Sequence, residues 1–165
     1  MSAQTLLATP QIQVGGTIPA HDVKELAPDA SSTLVLKGRN IIVGVPGAYT
    51  GTCHAQVPQY LDAYDEFKAK GVNEIYVVAV NDAFVTKAWK ENLAPKGSNV
   101  HFIADDKAAF AGSLGLLFDG TPVFGGPRSK RYVIVTDDDK VASLDIEADP
   151  GKITVTAAKA ILSKL

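Results

Sequence analysis

The chain has 165 residues, 46% hydrophobic and 21% charged, enough apolar material for one core, so a single domain over residues 1–165 is expected rather than disorder. A formal net charge of -2, with its Lys and Arg residues scattered, argues against a nucleic-acid partner. No apolar run approaches the ~18 residues of a membrane span and the first basic residue is Lys24, so neither a membrane partner nor a secretory or mitochondrial leader is expected, and the protein reads as soluble and intracellular.

Residues 1–30 are rich in Pro, Gly and small polar residues and read as a lead-in, with Ile12-Gln13-Val14 as a candidate edge strand. Residues 41–45 form a continuous, largely β-branched run, the pattern of a strand buried on both faces. From 52 to 70, Val57, Leu61, Tyr64 and Phe67 recur at three- and four-residue intervals before Gly71. That spacing predicts an amphipathic helix with a glycine stop and a kink at Pro58. Residues 75–80 read as a second buried strand, completing a βαβ unit with a right-handed crossover. Asn81-Asp82 open a helix over 83–92 whose apolar face is Phe84, Val85, Ala88 and Trp89. A third strand covers 100–104, and a short helix over 108–114 stops at Gly115. In the last third the runs 131–135 and 141–146 flank a tight turn over 136–140, which makes a β-hairpin, and a helix over 156–163 closes the chain. A βαβ half followed by a hairpin and a terminal helix is the layout of a thioredoxin-like α/β sandwich with a central mixed sheet.

Cys53 is the only cysteine, which removes an intramolecular disulfide and a multi-thiolate metal site from consideration; no metal or cofactor is expected. Free cysteines are mostly buried small hydrophobes. This one has a different address, because it follows the 41–45 strand through Pro46-Gly47-Ala48-Tyr49-Thr50-Gly51-Thr52 and sits where a helix begins. Unpaired N–H groups and the positive helix end then point at the sulfur and favour thiolate. Thr50 stands three residues earlier, close enough to hydrogen-bond the thiol or to serve as an N-cap, and Pro46 stiffens the approach and excludes water.

Pro46, Thr50 and Cys53 match the Pro-x-x-x-Thr-x-x-Cys signature of peroxiredoxins. Pro-Gly-Ala-Tyr-Thr with Val57-Pro58, Asn81-Asp82-Ala83-Phe84-Val85 with Trp89, and the segment Gly126-Pro127-Arg128-Ser129-Lys130-Arg131-Tyr132 resemble the atypical type II class across most of the chain. The resemblance implies a peroxiredoxin variant of the thioredoxin fold. It also implies a thiol-dependent peroxidase that reduces hydrogen peroxide and alkyl hydroperoxides, with Cys53 as nucleophile, Thr50 positioning the peroxide, Pro46 shielding the site and Arg131 completing the anion pocket. Arg128 is the less favoured second arginine. Cys53 would pass through a sulfenic acid and, with no second cysteine, be recycled by an external thiol: thioredoxin, or glutathione with glutaredoxin. A homodimer with a contact near Trp89 and the Thr50 loop is implied as well. The chain departs from the class at Gly51, usually proline, and at His54, usually a small hydroxylated residue. His54 is expected to lie along the helix surface, outside the chemistry, with His21 and His101 as surface or core residues.

A cysteine hydrolase would need a histidine base that nothing near His21 or His101 suggests, and dithiol exchange is excluded by Thr50. The remaining alternative is a non-catalytic redox sensor or binding protein on the same fold. The terminal Ser163-Lys164-Leu165 matches a peroxisomal address, making the peroxisome the expected compartment and the cytoplasm the fallback.

Overall fold

The computed structural model describes residues 3–165. The elements, in order, are helix α1 (Ala3–Leu7), strands β1 (Val23–Lys24), β2 (Ser31–Ser32) and β3 (Arg39–Val45), helices α2 (Gly51–Asp62) and α3 (Tyr64–Ala69), β4 (Val72–Ala79), α4 (Ala83–Leu93), β5 (His101–Ala104), α5 (Ala109–Ser113), β6 (Leu117–Asp119), α6 (Thr121–Phe124), β7 (Pro127–Ser129), β8 (Tyr132–Asp137), β9 (Lys140–Ile146) and α7 (Ala158–Leu162). Seven strands form one sheet in the order β2-β1-β5-β4-β3-β8-β9, and β6-β7 form a separate pair. β3, β4 and β5 are parallel, whereas β8 lies antiparallel against β3 and β9 against β8. This is the thioredoxin-like sandwich with a central mixed sheet.

Strand alternation sorts the core into two layers. Ile41, Val43 and Val45 of β3 face one side with Val57, Tyr60, Phe67, Trp89 and Ile161 from the helices. Ile42 faces the other with Tyr76, Ile103, Tyr132 and Phe110. Gly44 lets β3 approach the Tyr132 ring: a Cβ there would lie 2.0 Å from its nearest ring carbon.

Several sequence expectations are corrected. The 52–70 helix is two helices, with the break at Ala63 (φ -89, ψ 7); Pro58 sits inside α2. The break lets Tyr60 and Phe67 stack in the core with ring centroids 5.5 Å apart. Gly71 ends α3 with φ 85, as the glycine stop predicts. α4 turns Ala83, Thr86 and Trp89 inward, leaving Phe84 70% exposed and Ala88 on the surface. Its start agrees with the expectation: Asp82 caps it, its carboxylate accepting from the Val85 N–H at 2.9 Å. Residues 12–14 form no strand; the segment runs beside β9, where Gly15 N–H donates to the Val141 carbonyl. The hairpin strands extend further than read, leaving only Asp138 and Asp139 in the turn, with Asp138 at φ 50. α1, which seats Leu6 against Ala111 and Leu117, was not anticipated.

Candidate active site

β3 ends at Val45, and the chain turns through Pro46–Thr50 into α2, so that Cys53 lies in the first turn at the carboxyl end of a parallel strand. The turn is fixed locally. Asn81 accepts the Ala48 N–H at 2.9 Å, and the Thr50 hydroxyl donates to the Gly47 carbonyl at 2.8 Å. Tyr49 adopts φ 64, a left-handed conformation uncommon for an aromatic residue. Thr50 is the N-cap by position, with φ -69 and ψ 148, but its side chain caps no N–H. Its hydroxyl proton goes to Gly47 rather than to the thiol, which leaves the oxygen lone pairs free.

Cys53 is fully buried. Arg131, itself 1% exposed, donates from Nη2 to Cys53 Sγ at 3.3 Å. Its other donors are also occupied: Nη1 donates to Gln56 Oε1 at 2.7 Å and Nε to the Pro150 carbonyl at 2.9 Å. A guanidinium held on three sides aims a fixed positive charge at the sulfur, and its planar fork gives that aim a direction a lysine would lack. Arg131 stands just before β8, not within it, while its carbonyl accepts the Glu147 N–H at 3.0 Å.

Gln56, Thr156 and Glu147 are the site residues that sequence reasoning missed. Gln56 Nε2 donates to the Thr156 carbonyl and hydroxyl at 3.1 and 3.0 Å, so Gln56 Oε1 has only one orientation in which to meet Arg131. The Thr156 hydroxyl donates in turn to Glu147 Oε2 at 2.7 Å. Burial pushes the Glu147 carboxyl up, but the hydroxyls and backbone N–H groups of Thr154 and Thr156 outweigh it and hold the group below the usual carboxylate range. The one local signal was Gln56 standing one helical step beyond Cys53 on the inner face of α2.

Arg128 lies at the rim. Its Nη1 donates to the Pro46 carbonyl at 3.2 Å and its guanidinium covers the Phe124 ring at 4.6 Å. Burial pulls the Arg128 guanidinium down, with the nearby Cys53 side chain acting in the opposite direction. A cleft of about 260 Å³ opens beside the cysteine, walled by Pro46, Thr50, Phe118, Val123, Phe124 and Arg131, and its surface is mostly apolar. The structure thus brings together all four predicted site residues.

His54 departs from its expected place. It is half-buried rather than laid along the surface, and its Nδ1 accepts the Trp89 Nε1–H at 3.0 Å. His101 is remote from the cleft, between Glu25 and Glu74 at 2.6 and 2.8 Å. His21 lines a separate cavity with Lys107.

The redoxin family profile matches residues 13–162. The chain belongs to the redoxin family. Among redoxin relatives, it is 41% identical to the peroxisomal membrane associated protein 20 of Schizosaccharomyces pombe, covering 93% of this chain and 99% of that one. It is 37% identical to peroxiredoxin-2B of Arabidopsis thaliana, covering 96% and 98%. Reduced Prx3 of Vibrio vulnificus, crystallised in complex with hydrogen peroxide, superposes with a TM-score of 0.85 at 36% identity, covering 94% of this chain and all of that one. The redoxin chain is accordingly a peroxiredoxin, a thiol-dependent peroxidase that acts on hydroperoxides and is turned over by a thiol reductant.

Proposed function

We propose that Cys53 is the peroxidatic nucleophile, activated by Arg131 and the first turn of α2, with Thr50 orienting the peroxide and Pro46 shielding the sulfur from water. The observation that carries this is the contact of 3.3 Å between Arg131 Nη2 and the buried Cys53 Sγ at a helix start. The thiolate bonds to the terminal peroxide oxygen as the O–O bond breaks. The departing alkoxide or hydroxide takes a proton from solvent and leaves as alcohol or water, and Cys53 becomes a sulfenic acid. Developing charge on the leaving oxygen falls beside the fixed Arg131 cation and the helix N–H groups, which need no reorganisation to meet it. An apolar cleft wall suits alkyl hydroperoxides as well as hydrogen peroxide.

An external thiol, from thioredoxin or from glutathione with glutaredoxin, then attacks the sulfenic sulfur and expels water. A second thiol resolves the mixed disulfide and restores Cys53. The lone cysteine supports this order. A homodimer is part of the proposal, with exposed Tyr49 and Phe84 as its apolar surface; Trp89 is fully buried and reaches a partner only through its neighbours. Peroxisomal residence rests on the name of the fission-yeast relative and on Ser163-Lys164-Leu165. Ser163 and Lys164 are exposed, Lys164 pairs with Asp145, and Leu165 packs partly against the core. Among the described residues no helix is long and apolar enough to cross a membrane.

The deciding experiment times the oxidation of Cys53 by hydrogen peroxide and by tert-butyl hydroperoxide in wild type, Cys53→Ser and Arg131→Ala, with the sulfenic product read by mass spectrometry. Fast oxidation that needs both residues is expected. A wild-type rate no better than a free thiol's rules the assignment out. Deleting Leu165 from a fluorescently tagged chain is expected to scatter a punctate cellular signal, and unchanged puncta would remove the address.

A further inference from the structure

A peroxide of a few atoms can reach a buried sulfur through a narrow cleft, but a tripeptide or protein thiol cannot. Cys53 has no exposed surface, whereas a mixed disulfide requires the two sulfurs to come within about 2.05 Å. The first turn of α2 must therefore lift before the oxidised cysteine can be recycled. The groups that hold the turn down are few. Gly51 has no side chain, and there is open space around it. The Thr52 hydroxyl donates to the Gly151 carbonyl at 3.2 Å, an exposed bond to a loop. The Arg131 contact is to the sulfur itself, which changes on oxidation.

A further tether, beside the packing of Cys53 itself in the core, is His54. Its Nδ1 accepts from Trp89 Nε1–H, which places the imidazole proton on Nε2. Trp89 is fully buried in α4 and packs edge-on to Phe102 of β5 at 5.5 Å, so the anchor is rigid. Indole N–H is donor only, and His54 is its partner; lifting the turn strands a buried donor. The imidazole ring also stacks with Tyr49, ring centroids 6.2 Å apart and planes 21° from parallel. Tyr49 is the residue at φ 64, a backbone state it can relax from once the stack is released.

We propose that His54 is a positioning residue that clamps the first turn of α2 to Trp89 and Tyr49, and so sets how readily an external thiol reaches Cys53. This rests on the thiol-recycled peroxidase reading for its consequence, though the clamp itself is a property of the reduced protein. Position 54 then tunes recycling separately from peroxide attack.

The test uses reduced protein and dithiodipyridine, an aromatic disulfide too bulky for the closed site. The Cys53 thiolate attacks one of its sulfurs, the S–S bond breaks, and a coloured thiopyridone leaves. His54→Phe keeps a ring for Tyr49 but removes the acceptor, and it is expected to be labelled about tenfold faster. His54→Asn keeps an oxygen at the δ position and is expected to return labelling towards the wild-type rate. Trp89→Phe removes the donor together with its need for a partner; it should also label faster, and the double variant with His54→Phe should label no faster than either single one. Trp89 emission supplies a spectroscopic signature, shifting in His54→Phe and not in His54→Asn. Labelling of folded His54→Phe at the wild-type rate overturns the clamp, and if that variant does not fold, wild-type labelling of Trp89→Phe does so. Oxidation by hydrogen peroxide, timed on the same samples, judges the peroxidase reading independently, because labelling decides the clamp whatever that rate is.

Discussion

A single amide, Gln56, decides where the Arg131 charge points. In Gln56→Leu the Nη1 donor loses its acceptor inside the protein, and a hydrogen bond to a charged group is worth roughly 1.5–3 kcal/mol. The guanidinium should then swing off the sulfur, and oxidation of Cys53 by hydrogen peroxide is expected to slow by about tenfold or more in stopped-flow measurements. An unchanged rate would show that the Pro150 carbonyl alone fixes Arg131. Cys53, Thr50 and Pro46 were legible because they are close in sequence and carry a shared signature. Arg131 was legible only by resemblance, since 78 residues separate it from the cysteine it touches. Gln56 and Glu147 stayed hidden because a glutamine on a helix and a glutamate after a strand look like surface residues until their partners, 75 and 9 positions away, are in place.

Between elements, β3 packs closely against β8 at Gly44. The Tyr132 ring occupies the space a side chain at 44 would take, with ring atoms 2.0, 2.3 and 2.5 Å from where a Cβ would stand. Gly44→Ala is expected to cost about 3 kcal/mol, the upper end for overpacking, measured by urea denaturation. Pairing it with Tyr132→Val should recover much of the loss, because the two changes share one volume; strict additivity would disprove the packing account. Periodicity located the buried strands and the hairpin, whose alternation is strong and local. It misplaced the apolar face of α4, because Phe84 fits a helical stripe as well as Thr86 does, and only the sheet selects between them. It also ran α2 and α3 together as one helix, because the break falls at Ala63, a residue that carries no stop signal in the sequence.

At the scale of the whole molecule, His101 ties the outer half of the sheet together. It sits at the start of β5 between Glu25, just beyond β1, and Glu74 of β4, and its ring stacks on Tyr76 at 4.9 Å. The hydrogen bond to Glu25 raises the His101 pKa above its ordinary 6.5, against the lowering effect of burial and with further help from Glu74. A raised folded value means that protonated His101 stabilises the fold. That stabilisation is complete below about pH 6.5 and fades as pH climbs through the folded value. The difference in unfolding midpoint between wild type and His101→Gln should therefore shrink as pH rises, and a difference independent of pH would remove the charge from the explanation. The overall sandwich was legible because the order of its elements permits few arrangements. The central position of β3 also has a consequence for synthesis. Its two neighbours in the sheet are β4, which follows soon, and β8, whose first residue comes about 90 residues after β3 ends. At roughly 5–20 residues per second, the ribosome leaves that second edge without its partner for roughly 5–20 s. For that interval a nascent strand built from Ile41, Ile42, Val43 and Val45 offers an open apolar edge to whatever else is being made nearby.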